Sequence, residues 1–156
     1  MTPTPEHREG GCRCGQLRIR VNQPPLFTAA CHCRGCQRMT GGPYSLTVAV
    51  PEAGFDVIAG EPVIGGLHGD DIHHLHCPHC LSWVFSRPVG ADFVNVRTPM
   101  LDDASGLAPF FETCTRDRME GVRIDVAHSY DGFPPLEEFG TLLKRFAQRS
   151  SWSVSR

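Results

Sequence analysis

The chain has 156 residues, 40% of them hydrophobic and 21% charged, with a formal net charge of -2. That is the make-up of one ordinary globular domain with a modest core, and it excludes a global basic field able to hold nucleic acid or an acidic membrane. No apolar run approaches the roughly 20 residues that cross a bilayer, and Met1 to Gly11 contain no apolar stretch of the secretory kind. A cytoplasmic location with no membrane or nucleic-acid partner is therefore expected.

Sixteen glycines and 13 prolines predict many turns and short strands. Residues 1–9 have no period and read as a loose tail, with one domain over 10–148 and a second tail over 149–156. Gly10-Gly11-Cys12-Arg13-Cys14-Gly15 is a tight turn, followed by a strand in which Leu17, Ile19 and Val21 alternate with Arg18 and Arg20. Phe27 to Cys31 reads as a short strand. Gln37 to Thr40 reads as one helical turn stopped by Gly41-Gly42-Pro43. Leu46, Val48 and Val50 alternate with Ser45, Thr47 and Ala49 in a strand ending at Pro51. Phe55 to Ala59, Ile72 to His76, Trp83 to Phe85 and Phe93 to Val96 read as further strands. Gly60-Glu61-Pro62 is a turn and Gly65 to Asp71 a loop. Phe110 to Cys114 is extended, while 115–132 carry no clear pattern. Leu136, Phe139, Leu142 or Leu143, and Phe146 recur at helical spacing, with acids at the start and bases at the end. The expected fold is mainly β: an irregular single domain held by metal, with a short C-terminal helix.

Eight cysteines need a reason. Seven fall into tight clusters, Cys12/Cys14, Cys31/Cys33/Cys36 and Cys77/Cys80, and only Cys114 stands alone. In a reducing compartment, clustered cysteines are metal ligands before they are disulfides. Zinc suits soft thiolates in a tetrahedron. Cys12, Cys14, Cys77 and Cys80 complete four ligands and read as a structural site that closes a long loop. A redox role for Cys77-Pro78-His79-Cys80 lacks the surrounding βαβ unit. Cys31, Cys33 and Cys36 supply three ligands and leave one corner. Such an open site can lose its metal, or can take an external thiol as thiolate. A thiolate held there can attack a small electrophile such as an aldehyde. Alternatively Cys114 or a histidine closes the corner and the site is structural.

His73, His74, His76 and His79 crowd around Cys77 and read as surface or supporting groups. On a strand, His74 and His76 would share one face and His73 the other. His32 points away from a metal gripped by its neighbours. Arg34 and Arg38 can attract a substrate carboxylate or stand solvated. The only basic cluster, Lys144, Arg145, Arg149 and Arg156, reads as a solvated helix end.

Gly11-Cys12-x-Cys14-Gly15, Cys31-His32-Cys33-x-x-Cys36 with Gly41, and Cys77-x-x-Cys80 together resemble the glutathione-dependent formaldehyde-activating enzyme family, also called the Gfa-like or centromere protein V-like family. Gly60-Glu61-Pro62, Val94-Asn95-Val96 and Leu101-Asp102-Asp103 resemble it too. The resemblance implies a fold of several short coiled β-sheets around zinc, with two zinc ions per chain: a structural one on Cys12, Cys14, Cys77 and Cys80, and a catalytic one on Cys31, Cys33 and Cys36. It also implies a carbon–sulfur lyase-type activity joining glutathione, or a similar small thiol, to formaldehyde. A binding module for a protein or nucleic acid, or a thiol or aldehyde sensor, are the alternatives. Two departures stand out. Leu81 occupies the place of a glycine found in many relatives, which predicts a different local turn. Arg118-Met119-Glu120 replaces a Leu-Pro-Trp-like segment.

Overall fold

The computed structural model describes residues 7–67 and 69–149. Residues 1–6 and 150–156 of the tails expected over 1–9 and 149–156, with Arg156 of the basic cluster, and residue 68 of the expected loop lie outside the described residues. Eleven strands among those described form two sheets, so the chain is mainly β.

The smaller sheet has the order β1 (Arg8–Gly11), β2 (Arg18–Val21), β5 (Phe55–Ala59), all antiparallel. In β2 the alternation holds: Ile19 and Val21 are buried, while Arg18 and Arg20 turn outward to Asp102 and Glu9. β1 corrects the reading of residues 1–9 as tail, since Arg8 pairs with Val21 and Glu9 with Arg20. Polar bonding, with no apolar period, fixes it in place. Arg8 is buried, and its Nη1 donates to the carbonyls of Asp103 at 3.0 Å and Ser105 at 2.8 Å. Gly10 bridges Leu101 so closely that a Cβ would lie 2.1 Å from the Met100 carbonyl oxygen. Only glycine permits that approach.

The larger sheet has eight strands. Their order is β11 (His128–Ser129), β10 (Phe111–Thr113), β3 (Phe27–Cys31), β4 (Ser45–Pro51), β9 (Phe93–Arg97), β8 (Trp83–Pro88), β7 (Ile72–His76) and β6 (Val63–Gly65). All pairs are antiparallel except that β10 runs parallel to both β3 and β11.

The two faces of this sheet have different tasks. On one, Val48 and Val50 lie beside Val96 and Val94 and pack with Leu17, Ile19, Val21, Phe55 and Phe85 in the main core. On the other, Phe27, Ala29, Ala49 and Phe111 meet helix α2 (Leu136–Arg149) through Leu142 and Phe146. Burial of such side chains contributes about 1.5–3 kcal/mol each. The Phe139 and Phe27 rings meet edge-on at 5.6 Å, as do Phe146 and Phe110. The predicted helical period is thus real, except that Leu136 is 92% exposed and Arg149 belongs to the helix. Near the other edge of α2, the same sheet face stays uncovered, and the second cysteine cluster opens there.

Candidate metal centres

Cys12 and Cys14 follow β1 on a tight turn closed by Gly15 N–H to Cys12 O at 3.1 Å and by Cys12 N–H to Leu17 O at 3.0 Å. Cys77 and Cys80 follow β7 on a second turn, with Cys77 N–H to Ser82 O at 3.0 Å. The turns bring all four sulfurs within 4.8 Å of one another, with Cys12 and Cys14 at 3.5 Å and Cys14 and Cys77 at 3.7 Å. A tetrahedron with 2.3 Å metal–sulfur bonds has edges of roughly 3.8 Å, so this donor set fits a zinc-sized ion. The Ser82 hydroxyl, 3.2 Å from Cys80, draws that thiol down to about 5. Leu81 corrects an expectation: its φ is 60°, so it takes the left-handed turn itself. The knuckle keeps its shape, held by Leu81 N–H to Cys77 O at 2.9 Å. Leucine carries a conformational cost of about 1–2 kcal/mol that glycine would avoid.

The second cluster lies where β3 runs into helix α1 (Arg34–Thr40). α1 begins three residues earlier than the sequence suggests, because Cys33 caps it. The Cys33 sulfur accepts from Cys36 N–H at 3.3 Å, in the manner of an N-cap oxygen. Gly41, at φ 65°, ends the helix as expected. The Cys31, Cys33 and Cys36 sulfurs lie within 4.8 Å of one another and are all half-buried. Hydrogen bonds from Cys33 and Cys36 pull the Cys31 thiol down to about 2, and the same contacts push Cys33 and Cys36 up. Cys114 lies outside the set of sulfurs within 4.8 Å of one another, although its thiol reaches Cys31. It is buried, sits at φ 56° just past β10, and burial together with the Cys31 charge pushes its thiol up to about 12.

The three-cysteine knot is clamped from beneath by residues far along the chain. His32 is fully buried, and its Nε2 meets Glu112 Oε2 at 2.7 Å. It therefore points away from the sulfurs, as expected. Glu112 in turn accepts from Arg118 and from the Ser129 hydroxyl at 2.7 Å. Burial alone would raise the Glu112 carboxyl, yet the bonds from Ser129 and His32 and the Arg118 charge hold it below the usual range. Gln37 Nε2 donates to the carbonyls of His32 at 2.6 Å and Asp117 at 2.7 Å. Arg118, one of the departures from the relatives, thus works underneath the knot and does not line the cavity above it.

Above the knot lies a cavity of about 350 Å³ whose wall is the uncovered face of the large sheet. Strand register explains its shape. Thr113, Cys31 and Ser45 form one cross-strand row, and Phe111, Ala29, Thr47 and Arg97 form the next. Small side chains in the middle of each row leave the volume open. His74, Trp83, Ser86 and Asn95 continue the wall, while Phe133, Pro134 and Phe139 border it on the α2 side. His74 Nδ1 and Trp83 Nε1 both meet the Ser86 hydroxyl, at 2.8 and 2.9 Å. Arg97 lies with its guanidinium 4.2 Å from the Trp83 ring centroid.

Sequence reasoning placed the arginines differently. Arg34 and Arg38 are exposed and border another groove with Gln37, Pro43, Met119 and Val122. The arginine facing the cysteines is Arg97, which was not singled out. The signal was available, since Asn95 and Arg97 alternate with Val94 and Val96 and so share one face of a strand. Of the clustered histidines, only His74 lines this cavity.

The match to the family model for the glutathione-dependent formaldehyde-activating enzyme spans residues 7–117. No curated protein matches the chain. Among solved structures, a Rhodobacter sphaeroides protein is 16% identical and covers 78% of this chain and 98% of its own, with a TM-score of 0.51. That likeness speaks for the fold. All seven clustered cysteines fall within the matched span, and the chain belongs to the glutathione-dependent formaldehyde-activating enzyme family.

Proposed function

We propose that the protein is a zinc-dependent enzyme of the carbon–sulfur lyase type, acting in the cytoplasm on the adduct of glutathione, or a similar small thiol, with formaldehyde or another small electrophile. The observation that carries this is the contrast in ligand number. Cys12, Cys14, Cys77 and Cys80 complete a tetrahedron, whereas Cys31, Cys33 and Cys36 offer three sulfurs at the base of a cavity. When bound by those three, zinc supplies a Lewis-acid corner at which an incoming thiol loses its proton.

The chain's own residues would hold and shape this chemistry. Cys31, Cys33 and Cys36 hold the metal, and the His32–Glu112–Arg118 network fixes their spacing. The half-covered cavity limits water around the reacting sulfur. The sulfur lone pair attacks the carbonyl carbon, the C=O pair moves to oxygen, and that oxygen ends with the proton the thiol gave up. No protein side chain forms a bond to substrate.

The test is a glutathione titration of cobalt-substituted protein, following the sulfur-to-cobalt charge-transfer bands. A saturable change is expected in the parent and none in Cys33→Ala, which keeps its fold and one metal per chain. Titration without change, with both sites loaded, removes the reading.

A further inference from the structure

Arg97 is 7% exposed and comes from the middle of the large sheet, yet no carboxylate among the described residues pairs with it. A buried cation is costly unless something negative faces it. Its Nε has no partner among the described residues, and its single hydrogen bond is a long one of 3.5 Å from Nη2 to the Asn95 carbonyl. The Trp83 ring covers one face of the guanidinium at 4.2 Å. That stacking uses the face and leaves the in-plane N–H edge, which is the edge that matches a carboxylate. Asn95, two residues back on the same face of β9, adds a second buried polar atom, Oδ1, without a partner among the described residues. Both side chains line the cysteine cavity. Burial lowers the guanidinium to about 10, opposed by the charges of Cys36 and Cys31, which face it across the cavity without pairing with its N–H edge.

We propose that Arg97 is the specificity-determining residue of this cavity: its N–H edge receives a carboxylate of the thiol whose sulfur meets Cys31, Cys33 and Cys36. This rests on the reading that a thiol takes the open corner. The sulfur end gives no discrimination among thiols, because any of them can fill the corner. Selection must come from the far end, and a cation in an otherwise small-residue and aromatic wall selects an acid. Three thiolates around a divalent ion carry a net negative charge, so without Arg97 a carboxylate would be repelled from this cavity.

The experiment uses cobalt-loaded protein and two probes of the same chain length, 3-mercaptopropionate and its methyl ester. Sulfur binding is read from the charge-transfer bands, and filling of the wall from Trp83 emission with a Trp83→Phe control. The parent should bind the acid about tenfold more tightly than the ester. Arg97→Gln should lose or invert that preference while still binding the ester, and Arg97→Lys should restore part of it. Equal affinities in the parent overturn the proposal, with no variant needed, and so does a preference that survives in Arg97→Gln. If neither probe moves the bands with both metals loaded, the thiol reading itself fails and this inference falls with it.

Discussion

Four sulfurs from two segments meet at the first cluster, where Cys14 and Cys77 are 63 residues apart. Three sulfurs from one six-residue stretch make the second. The first set therefore ties the small sheet to the hairpin of β7 and β8, and metal held there would count directly toward folding. The second set is local, and closing it constrains little chain. A local set can keep a corner free for exchange, but its geometry must then be supplied from elsewhere. Here it comes from β10 beside β3 and from the buried His32–Glu112–Arg118 network. A metal at the four-cysteine cluster would stabilise its surroundings, whereas the three-cysteine cluster is held by its surroundings.

The largest test of that contrast is Cys77→Ala. Loss of a structural metal belongs to the few single changes that cost about 4 kcal/mol or more. Denaturant unfolding should show such a loss together with depletion of one metal per chain, and an unchanged unfolding midpoint would break the comparison. Next comes Glu112→Gln, which leaves Arg118 and His32 without their buried countercharge. It should cost about 2–3 kcal/mol and lower metal occupancy at the open cluster alone.

The pH dependence has a definite sign. Because the Glu112 carboxyl is held below its ordinary value of 4.5 in the fold, its contribution is complete above that pH and is lost as pH falls below it. The difference in unfolding free energy between parent and variant should therefore shrink on acidification below pH 4.5, as urea titrations at stepped pH would show. The smallest effect is Leu81→Gly at the closed cluster. Relief of the left-handed leucine is partly offset by the greater freedom of an unfolded glycine, leaving a gain of at most about 1 kcal/mol. A clear loss of stability would mean that the exposed leucine has a packing role.

The seven clustered cysteines, the alternation of β2 and β4 and the period of α2 could be read in the sequence because each is a repeat or a spacing. What stayed illegible was set by contacts between distant residues. β1 has no apolar period and is fixed by Arg8 reaching carbonyls at Asp103 and Ser105. Cys33 as a helix cap escaped notice because sulfur seldom fills that position. Ser45 and Thr47 alternate with the apolar positions of β4 and floor a cavity, and pattern alone does not tell such an internal space from water. The roles of Glu112 and Arg118 depend on folding the segment 115–132, which has no periodicity, back against β10 and α1.

The pairing of β10 with β3 also fixes an order of events as the chain is made. Residues 31–36 leave the ribosome together, with all three sulfurs in hand, but Glu112, which anchors His32, follows 80 residues later. The four-cysteine staple can close once Cys80 has emerged, whereas the bed beneath the other cluster is finished only once Glu112, Arg118 and Ser129 have followed. Until Glu112 arrives the nascent chain thus carries an unsupported trio of thiols, at its most vulnerable to oxidation and to scavenging by the wrong metal.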